Sequence, residues 1–231
     1  MVIFTDLKKE LKNRADPKKA KILKRFFKTG SREYGEGDIF LGIAVPEIRR
    51  LAKKYTTLRL EEVKRLLHSK FHEERLLSLL IMIDKFQSEN NKEKIYNLYL
   101  KNTKHINNWD LVDLSAYKIV GAYLADKPKD DLYKLAKSNC LWERRISIIS
   151  TFYFIKNNKF KETFKIAEIL LEDDHDLIHK AAGWMLREAG KRDLKSEKAF
   201  LDKYYKKMPR TMLRYAIEKF PEKERARYLL K

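Results

Sequence analysis

Apolar residues recur at three- and four-residue intervals along nearly the whole chain, and alternating runs of the β type are hard to find. That period belongs to helices with one apolar face, not to strands. It predicts helices over roughly 4–15, 17–28, 46–55, 60–68, 72–87, 91–102, 109–125, 128–138, 141–157, 160–171, 176–190, 195–206, 209–220 and 222–229. The five prolines, Pro17, Pro46, Pro128, Pro209 and Pro221, all fall at or near predicted helix starts, where the missing N–H costs little. Asp126 and Asp174 are placed as caps or turn residues. The predicted fold class is all-α.

The starts of alternate helices lie near 72, 109, 141, 176 and 209, a spacing of roughly 32 to 37 residues. A helix–turn–helix repeat has that length. Stacked antiparallel hairpins build a curved solenoid, and one helix of each pair lines its concave surface. The expected organisation is a single domain over 1–231, with a helical cap and Gly-rich loop over 1–45 and the repeat array over 46–231. The loop begins at Thr29 and runs to Ile43, and it holds Gly30, Gly35, Gly37 and Gly42. It is either a functional loop or a connector between cap and array. It is not a phosphate-binding P-loop, because no Gly-Lys-Ser/Thr follows.

Charge changes the picture from architecture to partner. Lys and Arg exceed Asp and Glu by 19, 52 against 33. The expected partner is a polyanion, most often nucleic acid, unless the source organism simply makes lysine-rich proteins. Twelve Tyr, twelve Phe and three Trp exclude a disordered basic tail. With one cysteine, Cys140, there is no intramolecular disulfide and no multi-Cys metal site, and the thiol reads as buried and structural. No signal-peptide core or bilayer-length apolar run occurs, so the expectation is a cytoplasmic protein without a membrane partner, nucleoid-associated when bound to DNA. His175 and His179 have the spacing of helical zinc ligands but lack the Glu of H-E-x-x-H and a third ligand, so no metal is expected. No dinucleotide turn or G-x-S-x-G motif is present, and no cofactor is expected.

The same period selects unusual side chains. Trp109, Arg145 and Trp184 fall in equivalent helices of successive repeats, and Arg214 continues the row. At about 100° per residue, Ile178, Ala181, Ala182, Met185 and Ala189 share one side of helix 176–190, while Lys180, Trp184, Arg187 and Lys191 share the other. A tryptophan among cations away from the core is a candidate binding residue, or it packs on a neighbouring repeat. On helix 109–125 the core side is Val112, Ala116, Ile119, Val120 and Tyr123. Trp109 lies at its edge, with Asp113 about 40° further out. Asp113 could equally answer a helix dipole or a lysine. In Leu141–Ile146, Trp142 points to the core with Ile146, Ile149 and Tyr153, Arg144 projects outward and Arg145 lies on a flank. A partly buried arginine needs an anion, either an internal carboxylate or a bound phosphate.

Asn108-Trp109-Asp110-Leu111-Val112-Asp113, Leu141-Trp142-Glu143-Arg144-Arg145-Ile146-Ser147-Ile148 and Lys180-Ala181-Ala182-Gly183-Trp184-Met185-Leu186-Arg187-Glu188, in this order, resemble the AlkD-like DNA alkylation repair family. The similarity extends to Phe40-Leu41-Gly42-Ile43, Pro46 and Arg49-Arg50. The resemblance implies a solenoid of HEAT-like repeats with a concave basic groove, and a monomeric DNA glycosylase that needs neither metal nor cofactor. Its partner would be double-stranded DNA containing alkylated bases. It would hydrolyse the N-glycosidic bond of cationic purines, N3-methyladenine and N7-methylguanine, while leaving the lesion in the stack. Trp109 and Trp184 match the family's aromatic pair, which packs on the lesion's deoxyribose and backbone. Asp113 matches the catalytic carboxylate. Arg145 matches the phosphate-binding arginine, with Arg144 as the alternative; Lys180, Arg187, Lys191 and Arg214 would add DNA contacts. Two features depart from the family pattern: the segment 29–39 is longer, and Phe26 stands where a hydroxyl-bearing aromatic would be looked for. The rival reading is a non-catalytic helical scaffold for nucleic acid or an acidic protein.

Overall fold

A computed structural model describes residues 2–88 and 92–230. Among these, fourteen α-helices follow one another: α1 (Val2–Asn13), α2 (Pro17–Phe26), α3 (Val45–Lys54), α4 (Leu60–Leu67), α5 (His72–Ser88), α6 (Lys92–Leu100), α7 (Trp109–Ala116), α8 (Asp130–Ala136), α9 (Leu141–Lys156), α10 (Lys161–Ile169), α11 (Asp176–Gly190), α12 (Leu194–Tyr204), α13 (Arg210–Ala216) and α14 (Glu222–Leu229). Each helix predicted by the apolar period has its counterpart, although position 91 lies outside the described residues. No strand forms among the described residues; Ile39 and Phe71 make one isolated parallel bridge. The fold is all-α. No helix among the described residues is long and apolar enough to cross a membrane.

The chain divides into two compact units, 1–111 and 112–231, and the division falls within α7. In the first unit α5 is the central element, with α3, α4 and α6 packed on it. Its run Leu76–Ile83 is buried on every side, including Ser78, so this helix has no solvent face there. Ser78 is accommodated because its hydroxyl donates to the Val63 carbonyl at 2.8 Å.

In the second unit, α11 packs on both α9 and α13, while α8, α10 and α12 lie beside them. Contact between next-but-one helices is what a period near 35 residues demands. Ile178, Ala181, Ala182, Met185 and Ala189 are all buried, as the helical wheel requires. Gly183 is where α11 meets α13: a Cβ there would collide with the Met212 carbonyl oxygen. Gly121 faces the Ser150 carbonyl in the same way. It ends a π-helical turn, Tyr117–Gly121, that interrupts the single helix predicted over 109–125. The turn rotates the following side chains, and Tyr123, expected in the core, is only half-buried.

Candidate active site

Helix α7 carries Trp109 in its first turn and Asp113 one turn on. In the second unit, Asp113 meets Arg145 of α9. The guanidinium donates from Nε to Oδ1 at 2.9 Å and from Nη2 to Oδ2 at 2.7 Å. Nη1 donates to the Leu177 carbonyl at 2.5 Å. The arginine side chain is 6% exposed and the aspartate 20%. A two-pronged charge-assisted contact of this kind fixes the plane of the carboxylate. Of the two anions that a partly buried Arg145 could have required, it has the internal carboxylate. Little of its guanidinium is left for a phosphate, which departs from the role the resemblance implied.

Most of the other cations expected at DNA are likewise paired with internal acids. Arg144 is not directed outward: Nε donates to Asp173 Oδ2 at 2.5 Å and Nη1 to the Ser138 carbonyl at 3.0 Å. Lys180 pairs with Asp176 at 2.6 Å, Arg187 with Glu218, and Lys191 with Glu188 at 2.6 Å. Arg214 is exposed and makes no ion pair among the described residues. Trp184 is half-buried, with Phe152 at 6.0 Å between centroids, and its indole N–H donates to Glu188 Oε1 at 3.2 Å. Cys140 is half-buried at the N-cap of α9, not sealed in the core as expected. His175 caps α11 by accepting the Leu177 N–H at 3.1 Å, and His179 bonds to the Asp173 carbonyl.

In the first unit Trp109 sits against three aromatic residues. Phe27 lies at 5.4 Å and 31°, Phe26 at 6.0 Å and 65°, and the indole N–H donates to the Tyr34 hydroxyl at 3.2 Å. The Gly-rich loop supplies Tyr34. Phe26 is 60% exposed, as is Ile22 at 66%, at the edge of α2. That helix carries Lys18, Lys19, Lys21, Lys24 and Arg25, all exposed, and no carboxylate. Lys19 pairs with the N-cap Asp16 at 3.2 Å.

The first turn of α5 escaped the sequence reading. His72, Glu73, Glu74 and Arg75 are four consecutive charged residues, each no more than 4% exposed. Glu73 accepts the amides of Leu41, Gly42 and Ile43, at 2.8, 2.7 and 3.3 Å. Glu74 binds Lys8 of α1 at 2.5 Å. Arg75 donates to Asp38 at 2.6 Å, and His72 lies between Asp38 at 2.9 Å and Asp110 at 2.8 Å. Burial alone would lower the imidazole pKa, but hydrogen bonds and charge from Asp110 and Asp38 outweigh it and raise it to about 9. Burial likewise works against the Asp38 carboxylate, and His72 and Arg75 overcome it and hold its pKa below the usual value. The signal available in the sequence was the helix itself: a first turn leading into a segment apolar on every face cannot face water.

A family model described as "DNA alkylation repair enzyme" matches residues 7–220. Among solved structures, a "Predicted DNA alkylation repair enzyme from Enterococcus faecalis" superposes with a TM-score of 0.69 at 16% identity, over 90% of this chain and 98% of that one. A search of curated proteins finds no match. The structural likeness establishes the shared all-α fold. The family match covers all but the ends, and by it the chain belongs to the DNA alkylation repair enzyme family.

Proposed function

We propose that this protein is a DNA glycosylase that hydrolyses the N-glycosidic bond of cationic alkylated purines, N3-methyladenine and N7-methylguanine, in duplex DNA. The observation that supports this most is the state of Asp113: its carboxylate is held in a fixed plane by a buried arginine yet remains 20% exposed. A carboxylate so held keeps a fixed orientation while part of it stays accessible to solvent.

The chemistry follows from the leaving group. An alkylated purine already carries positive charge, so it departs without acid or metal assistance. The C1′–N bond breaks with its electron pair going to the base, which becomes neutral, and positive charge builds on the sugar. Asp113 opposes that charge, and a water adds to C1′ and gives up a proton to the surrounding solvent. Preorganised charge of this kind is among the largest contributions an enzyme can make. A carboxylate oxygen accepts more than one hydrogen bond, so an aspartate forked by arginine can also orient water. In this reading Arg145 acts on the reaction through Asp113, and Trp109 and Trp184 offer π faces to the cationic sugar. Phosphate contacts come from cations not committed to internal carboxylates: Lys18, Lys21, Lys24 and Arg25 of α2, and Arg214.

The test is release of N7-methylguanine from methylated duplex DNA by the purified protein. Release by the wild type, and its loss in Asp113→Asn with duplex binding retained, is the expected result. Binding without release from any lesion would identify a non-catalytic scaffold.

A further inference from the structure

We infer that His72 is a positioning residue for Trp109: clamped as an imidazolium between Asp38 and Asp110, it fixes the first turn of α7 and, through the Phe27 ring, the orientation of the indole. The functional part of this inference rests on the glycosylase reading; the structural part does not.

Both ring nitrogens of His72 lie against carboxylate oxygens, Nδ1 at 2.9 Å from Asp38 Oδ2 and Nε2 at 2.8 Å from Asp110 Oδ2. Ionised carboxylates only accept. A neutral imidazole has one N–H, so it would leave the other nitrogen lone pair against an oxygen lone pair; the imidazolium fills both contacts. The ring is flanked by Phe40 at 4.6 Å and 24° and by Phe27 at 5.0 Å and 33°, so its charge also meets two π faces. Phe27 in turn lies 5.4 Å from the Trp109 ring. Asp110 follows Trp109 directly, and its second oxygen accepts the Leu111 amide at 2.8 Å. One cation thus joins the Gly-rich loop, α5 and the start of α7.

The charged groups around His72 are few. Asp38 faces it from the loop and Asp110 from α7. Arg75, on its own helix, takes the remaining oxygen of Asp38 at 2.6 Å. Glu73 is committed to the amides of residues 41–43. Lys19 stands at the rim of an adjoining cavity of about 270 Å³, whose wall includes Ile22, Leu23, Phe40 and Leu76. With a pKa raised from 6.5 to about 9, the stability this clamp contributes is complete below 6.5 and is lost as pH rises through about 9. Loss of the proton leaves one of Asp38 and Asp110 without its imidazole N–H, so the clamp that backs the indole opens on one side.

The experiment follows the Trp109 indole N–H resonance in the full-length protein, identified by its absence in Trp109→Phe. It is run in a Tyr34→Phe background, because the Tyr34 hydroxyl accepts the indole N–H directly and changes at that contact would move the same signal. The indole resonance and the His72 ring resonances are expected to shift together with a midpoint of about 9. In His72→Gln, which is neutral and donates to one carboxylate only, the indole resonance is displaced and the midpoint vanishes. Base release at saturating DNA then falls about tenfold to a hundredfold, with KM nearly unchanged. An indole resonance that neither follows the His72 titration nor moves in His72→Gln overturns the inference. If His72→Gln does not fold, the titration of the Tyr34→Phe protein decides alone. If the wild type releases no base, the glycosylase reading fails while the resonance still decides the positioning role.

Discussion

The two units each set an arginine against an aspartate, with different surroundings. In the first, Asp38 is 1% exposed and shared between Arg75 and His72, and the cluster ties a loop to two helices. In the second, Asp113 is 20% exposed and forked by Arg145. Burying a charge is costly unless partners replace its water. At Asp38 the partners replace that water almost completely, which suits a group that holds structure. The second fixes the plane of a carboxylate that keeps 20% exposure, which suits a group that must meet a transient cation. Exposure separates Asp113 from Asp38 but not from Asp110, which is 19% exposed; what sets Asp113 apart is the two-pronged contact with a buried arginine.

Four perturbations break or sharpen this contrast. Arg75→Ala has the largest expected effect: it strips a partner from a sealed carboxylate and lowers the urea-unfolding free energy by about 3–5 kcal/mol. Glu197→Gln works in the opposite direction. Glu197 is 2% exposed and packs against Gly190, and burial raises its pKa from 4.5 to about 8, against the pull of Arg187. The folded chain therefore holds a proton that the unfolded chain gives up, and stability declines as pH rises from 4.5 to about 8. The glutamine variant lacks that decline and at alkaline pH is more stable by on the order of 2–4 kcal/mol, read from thermal unfolding across pH. Arg145→Ala releases Asp113 from its fixed plane; base release falls about a hundredfold, and Arg145→Lys recovers little of it because an ammonium cannot fork. A smaller effect, on binding alone, is that of Lys24→Ala with Arg25→Ala. Folding is unchanged within about 0.5 kcal/mol, while the slope of log affinity against log salt becomes shallower by roughly two. Lys180→Ala, which removes an ion pair rather than an uncommitted cation, leaves that slope nearly unchanged.

Much of this was legible from spacing. The apolar period located every helix, and the period of alternate helices anticipated the packing of α9, α11 and α13. The buried set on α11 followed from 100° steps. What escaped was pairing across repeats. Arg144 meets Asp173, Arg145 meets Asp113 and Arg187 meets Glu218 at separations of 29, 32 and 31 residues, about one repeat each. A cation on one helix thus finds its acid about one repeat away, which no local window reveals. The charged first turn of α5 was missed for a related reason: its partners are Lys8, Asp38, residues 41–43 and Asp110, all distant in sequence. Trp109 and Asp113 stood out because one turn of helix separates them, but the aromatic residues around Trp109 come from α2 and the Gly-rich loop.

The most direct test of the account is single-turnover release of N7-methylguanine, with enzyme in excess over methylated duplex, comparing wild type with Asp113→Asn. The account predicts that the variant binds the duplex within about threefold of wild type and releases base at least about a hundredfold more slowly. Equal rates of release would contradict it.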